Sequence, residues 1–258
     1  MSIDDFRASV DDWLAANHTD EIRTAPAGSD ARNAWVKLLA DKGWIAPSWP
    51  TEYGGAGLNF QEHIALTQAF SAASAVPPQD GQALNMIGPT LLEFGTEEQK
   101  GRWLSRTLRG EITVVHAISE PRGGSDLAGQ KTEAVKDGDG YMVTGEKGYI
   151  HGPFKPDFLF MLVNTDPAGP KYENLSTVIM DVDTDGVTFK KGAKTLMGTT
   201  DSNAIMEKVW VSADRIVGGE GNGWEVAQCM IDVERGGPGV TTDQRDAIEQ
   251  RERDHWGK

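Results

Sequence analysis

The chain has 258 residues, 38% of them hydrophobic, with eight tryptophans, which is enough for one large domain or two ordinary ones with an apolar core. Its formal net charge of -14 works against sequence-independent nucleic-acid binding, which needs basic surface to release counterions. It leaves room for a phosphorylated cofactor held by backbone N–H groups. The single cysteine, Cys229, excludes an intramolecular disulfide and a multi-cysteine metal site, and the five histidines show no HxxxH or HExxH spacing. No apolar run is long enough for a bilayer, and the acidic start Met1-Ser2-Ile3-Asp4-Asp5-Phe6 is unlike a signal peptide, so the expected location is cytoplasmic.

In chain order, Ser2 and Asp5 offer an N-cap ahead of Phe6, Val10, Trp13 and Leu14, which share a helical stripe. Residues 21–30 are small and polar and read as a loop. Trp35, Leu38, Leu39 and Lys42 place a helix from Arg32, with Gly43 suited to the position just past its end. Pro47, Pro50 and Gly54-Gly55-Ala56-Gly57 break regularity. Further helices are expected at 61–75, 87–95 and 96–108, the last opened by a capping box, Thr96-Glu97-Glu98-Gln99. Beyond Gly110 the period falls to two, and strands are expected at 111–118, 131–136, 140–150, 157–163, 176–182, 187–190 and 204–211, with Asp137-Gly138-Asp139-Gly140 as a hairpin turn. After a glycine-rich break at 218–223, Trp224 to Glu234 returns to helical spacing. Helices followed by strands, without alternation, argue for an α+β chain. The fold expected is a helical N-terminal domain (1–110), an antiparallel β-barrel-like middle domain (111–218) and the first helix of a C-terminal helical region with a charged tail (219–258).

Two places invite chemistry. The expected strand from Ile112 to Ala117 opens into Ile118-Ser119-Glu120-Pro121-Arg122-Gly123-Gly124-Ser125-Asp126. Such a loop offers small residues, hydroxyls and free N–H groups to a flat or anionic ligand, or it is a polar turn between strands. Glu234 ends the stripe Trp224, Ala227, Ile231. A carboxylate held against apolar neighbours disfavours its charge and suits a general base near neutrality. At a helix end it equally suits an ion pair.

Several stretches, in order, resemble the acyl-CoA dehydrogenase family. They are Gly43-Trp44-Ile45-Ala46-Pro47 with Glu52-Tyr53-Gly54-Gly55, and Leu92-Glu93-Phe94-Gly95-Thr96-Glu97-Glu98-Gln99-Lys100. Ser119-Glu120-Pro121, Gly124-Ser125-Asp126, Thr144-Gly145-Glu146-Lys147 and Gly221-Asn222-Gly223-Trp224 follow. The resemblance runs from near residue 1 to about 237. It implies FAD, with His116, Ile118 and Ser119 along the flavin ring, and Gly124 and Ser125 near the flavin and the acyl-CoA phosphates. Tyr149, Ile150 and His151 would cover the other side of the ring. That last segment departs from the family pattern, which carries Trp, an apolar residue, then Thr or Ser. Glu234-Arg235 stands where some relatives place a Glu-Arg pair whose glutamate is the base.

The implied reaction is α,β-dehydrogenation of an acyl-CoA thioester to the trans-2-enoyl-CoA, with an electron-transfer flavoprotein as redox partner and an oligomer as the working state. The family pattern continues for a further helical bundle, whereas this sequence reaches Gly236-Gly237-Pro238-Gly239 and a charged stretch. It reads as a truncated or split dehydrogenase. The alternative is a non-catalytic accessory subunit or remnant that binds a related chain.

Overall fold

A computed structural model describes residues 1–26, 28–77, 81–121, 125–152, 155–194 and 200–235. Contacts divide the chain into two compact units: the described residues of Met1–Asp80 with Gly101–Glu111, and those of Gly81–Lys100 with Ile112–Lys258.

The first unit is helical. Helix α1 (Ile3–Asn17) opens on the expected N-cap, which forms a full capping box: Ser2 Oγ accepts the Asp5 N–H and the Asp5 carboxylate accepts the Ser2 N–H. It buries Phe6, Val10 and Leu14. A short helix α2 (Asp20–Thr24) occupies part of the stretch expected as loop. Thr19 caps it and Ile22 anchors it, so one buried side chain and one cap outweigh the polar composition. Helix α3 (Asp30–Asp41) ends as its sequence demands. Gly43 adopts φ +69°, its N–H reaches Ala40 O at 2.9 Å, and Trp44 N–H reaches Leu39 O at 2.9 Å. This is the glycine-terminated Schellman arrangement, which satisfies two otherwise orphaned carbonyls. Helix α4 (Phe60–Ala72) carries a second capping box, Asn59 with Glu62. The core is aromatic. Trp13 packs on Trp35 and Trp44 at 5.5 and 4.8 Å between centroids, and Trp35 Nε1 donates to Val76 O at 3.0 Å. Helix α6 (Glu97–Leu108) contains the boundary between the units.

The second unit is built on a sheet of eight strands among the described residues: β1 (Val114–Ala117), β2 (Glu133–Asp137), β3 (Gly140–Ile150), β4 (Phe158–Asn164), β5 (Leu175–Asp181), β6 (Val187–Lys194), β7 (Thr200–Ser212) and β8 (Ile216–Val217). Hydrogen-bonded neighbours run β6-β7-β3-β2-β4-β5-β8, with β1 on β4. Most pairs are antiparallel, as expected. The β1–β4 and β2–β4 pairs are parallel, so the sheet is mixed. The strand β8 is two residues long, too short to leave a periodic signal, and it pairs with β5. Val143, Leu159, Met161, Val163, Met180 and Val209 fill the core with almost no exposure.

A one-turn π-helix (Ala83–Ile87) leads into α5 (Gly88–Phe94). Helix α7 (Gly223–Glu234) packs on β5, α5 and the π-helix. A Cβ on Gly223 would lie 2.6 Å from the backbone of Ser176, so only glycine lets α7 start this close to β5. The stretch 236–258, including the expected charged tail, lies outside the described residues.

Candidate functional site

The ends of β1 and β3 meet. Gly148 N–H donates to Ser119 O at 3.0 Å, which joins the segment after β1 to the last turn of β3. The pairing of β3 with β7 slips between Lys147 and Ile150, where Gly148 and Tyr149 stand opposite Asn203 alone. This is a β-bulge, and such bulges re-aim side chains at sheet edges. Tyr149 sits in it with φ +56°, a left-handed conformation costly for a bulky residue. The bulge turns the Tyr149 ring outward, half exposed, while its neighbour Ile150 is 1% exposed. Its Oη donates to Pro121 O across a long 3.5 Å.

Gln82, at the start of the π-helix, bridges the two strands. Its Oε1 accepts the His116 N–H and its Nε2 donates to His151 O, both at 3.2 Å. His116, Ile118 and Ser119 therefore lie beside Tyr149, Ile150 and His151, all within one unit. Ile118 is buried, Ser119 half-buried, and Ser125 exposed. Gly124 lies outside the described residues.

Four titratable groups share this edge, His116, His151, Asp201 and Glu234. Burial holds the His116 imidazole below its ordinary value and keeps it neutral at neutral pH. The charge of Glu234 pulls the other way, and a charged His151 would lower it further. His116 Nδ1 is buried with no hydrogen-bond partner among the described residues. His151 Nδ1 lies 2.8 Å from Asp201 Oδ1. Glu234 is exposed at the last residue of α7. The buried residues of that helix are Gly223, Val226, Ala227, Cys229 and Met230, so only Ala227 of the expected stripe is buried, and Trp224 and Ile231 are half-buried. Glu234 nevertheless continues the buried face, at i+4 from Met230 and i+7 from Ala227. It projects past the core, without the apolar enclosure expected from the stripe.

Beneath the edge lies a buried polar cluster. Lys147, fully buried, donates from Nζ to Glu120 Oε1 at 3.1 Å and to Gln130 Oε1. Glu120 also accepts the N–H groups of Thr132 (2.8 Å) and Lys131 (2.9 Å). Burial alone would push the Glu120 carboxyl up. The charge of Lys147 and the two N–H groups more than reverse this and leave it below its usual range. Burial brings Lys147 down to about 8 against the pull of Glu120. Gln82, Gln130 and Asp201 were invisible to the sequence reading. Glu120 and Lys147 fell in its motifs without a role. A separate open cleft, lined by Glu93, Tyr141 and Glu220, contains none of the expected site residues. There burial and the Glu220 carboxylate push Tyr141 up to about 12.

Residues 2–111 match the family model "Acyl-CoA dehydrogenase, N-terminal domain", and residues 116–209 match "Acyl-CoA dehydrogenase, middle domain". The chain belongs to the acyl-CoA dehydrogenase family. It is 30% identical to acyl-CoA dehydrogenase IpdE1 of Mycobacterium tuberculosis over 246 residues, which is 92% of this chain and 64% of that protein. Among solved structures, a variant of the Tcur3481-Tcur3483 steroid ACAD superposes with a TM-score of 0.71 at 29% identity, covering 90% of this chain and 62% of that one. The ChsE4-ChsE5 complex from Mycobacterium tuberculosis gives 0.70 at 28%, covering 90% and 59%. The chain thus spans less than two thirds of these acyl-CoA dehydrogenases. The helical unit followed by a mixed sheet and a helix is their fold.

Proposed function

We propose that this chain carries the flavin-facing half of an FAD-dependent acyl-CoA dehydrogenase, acting on an acyl-CoA thioester to give the trans-2-enoyl-CoA. The observation that carries the reading is the Gly148–Ser119 bond, with Gln82 across from it, which brings the two segments that resemble flavin-binding stretches to one edge. The residues suit a flat conjugated ligand. An aromatic ring is turned outward at Tyr149, and an unpartnered buried nitrogen stands at His116. The residues that would hold FAD are His116, Ile118, Ser119, Gly124, Ser125, Tyr149, Ile150 and His151, with Ser125 also toward the substrate.

FAD, when bound, supplies a two-electron acceptor for the hydride that leaves the acyl Cβ. The chain does the rest. Tyr149 offers a stacking face, and the Gln82 bridge keeps the two strand ends in register. Neutral His116 places an imidazole, not a cation, at the edge. Glu234 takes the Cα proton at a carboxylate oxygen. The domains of this reading are 1–110, 111–218 and 219–258, and its setting is cytoplasmic. Among the described residues no helix is long and apolar enough to cross a membrane. An electron-transfer flavoprotein would take the electrons, and a related chain would complete an oligomer.

The exposure of Glu234 favours a second reading, an accessory subunit without its own activity. A base that works near neutrality needs an apolar environment, which the described residues do not put around Glu234. The deciding experiment is a visible spectrum of the purified chain after loading with FAD and desalting, followed by anaerobic titration with acyl-CoA. A retained yellow band that bleaches supports the dehydrogenase. A colourless chain, or a band that no acyl-CoA bleaches, supports the accessory reading.

A further inference from the structure

The contact between His151 and Asp201 lies just past the last pair of β3 with β7. Ile150 pairs with Ser202 across β3 and β7, so His151 and Asp201 come next in the antiparallel register and share a face. The Asp201 side chain is 8% exposed and that of His151 is 56% exposed. The carboxylate is thus sunk in the sheet, and the ring stands over it toward solvent. A carboxylate only accepts, so at 2.8 Å Nδ1 must be the nitrogen that carries the proton. This leaves Nε2 as a free acceptor on the exposed side, with no partner among the described residues. The main chain is pinned as well, through Gln82 Nε2 to His151 O. The residue is therefore held by its main chain and by Nδ1 of its ring, with the other ring nitrogen displayed a bulge away from the Tyr149 face. Asp201 on β7 meets the ring directly, and His116 on β1 lies beside it across the Gln82 bridge.

We propose that His151, turned by Asp201, is the proton-exchange residue of this edge. Resting on the FAD reading above, it acts when the two-electron-reduced cofactor is reoxidised. Two electrons would leave singly, one to each of two molecules of a one-electron carrier protein. The proton left behind passes to His151 Nε2, giving an imidazolium paired with Asp201, and then to solvent. Charge and protons balance: one electron goes to each of two carrier molecules and one proton goes to the ring. Glu234 is not needed for this step, because it holds the other proton, the one from the substrate Cα. Asp201 is a positioning residue that acts through the ring.

The first test needs no cofactor. Long-range ¹H–¹⁵N spectra of the ¹⁵N-histidine-labelled chain report which ring nitrogen is protonated. The neutral His151 ring is expected as the Nδ1–H form in the native chain and as a mixture rich in Nε2–H in D201N. An Nε2–H ring in the native chain overturns the proposal, whatever binds at the edge.

The second test uses the chain loaded with FAD, reduced with dithionite and mixed with ferrocenium, a one-electron acceptor. The fraction of H151Q that keeps FAD is expected to reoxidise roughly 100-fold more slowly at neutral pH, with free imidazole in the buffer restoring part of the rate. A merely structural histidine would not respond to imidazole. If H151Q retains FAD and reoxidises at the native rate, the proton-exchange role fails while the FAD reading stands. If neither protein retains FAD, that reading fails and takes this role with it, even where the ring shows the expected form.

Discussion

Removing either partner of the Glu120–Lys147 pair should destabilise the fold, and removing Glu120 should cost more. Lys147 is fully buried, and the fall of its ammonium from 10.5 to about 8 means that charge is held roughly 3 kcal/mol less favourably in the protein than in the unfolded chain. That figure already includes the help of Glu120. In E120Q the help disappears, the ammonium falls further, and the buried nitrogen keeps only Gln130 and a neutral amide, so the cost should be about 3–5 kcal/mol. In K147M the remaining carboxylate keeps the Thr132 and Lys131 N–H groups, and its side chain is 10% exposed, so the cost should be about 2–3 kcal/mol. The double variant E120Q/K147M leaves no stranded charge and should lose less than the sum of the two.

Urea unfolding at pH 7 measures all three. The pH dependence has a fixed sign. Between about 8 and 10.5 the unfolded chain holds the lysine proton while the native chain has released it, so this residue makes stability rise with pH across that window. K147M should lack that rise. If E120Q cost less than about 1 kcal/mol and the two single effects simply added, the pair would be electrostatically idle and the reasoning refuted.

Other consequences concern single residues. Gln99 is 4% exposed, and its Nε2 donates to the carbonyls of Asp214 and Ile216 at 2.8 and 2.7 Å. Q99L should strand both carbonyls and cost about 2–3 kcal/mol by urea unfolding, whereas a loss below about 0.5 would mean that water replaces the amide. G43A should cost at least about 2 kcal/mol, because its left-handed φ is unfavourable for alanine and the new Cβ would lie 2.5 Å from backbone atoms of Gly55 and Ala56. A smaller loss would show that the loop at 55–56 yields. His18, whose Nε2 accepts the Val76 N–H at 3.2 Å, is held below 6.5 first by burial and then by Arg23 and Arg32. The unfolded chain takes up that proton first as pH falls below 6.5, so native stability drops there. H18Q keeps an acceptor and should flatten the drop, and an unchanged pH profile would remove His18 from the account.

Local signals in the sequence decided where most elements lie. The caps at Ser2 and Thr96, the glycine after α3 and the Asp137–Gly140 hairpin are interactions within a few residues, and each is met in the structure. Families of motifs in order were enough to name the kinship. Three things lay beyond that reach. Helix α2 and the strand β8 owe their existence to a single buried side chain and to a partner strand, which no periodicity announces. The parallel pairing of β1 and β2 with β4 depends on crossovers that strand patterns do not specify. The edge itself was decided by tertiary structure. Gln82 reaches His116 and His151 across the chain, Asp201 meets His151 only because β7 lies in one register against β3, and a bulge aims Tyr149 outward. Sequence spacing finds residues that share a helix face or a strand. It carries no term for hydrogen bonds between residues dozens of positions apart, and those bonds are what gather this site.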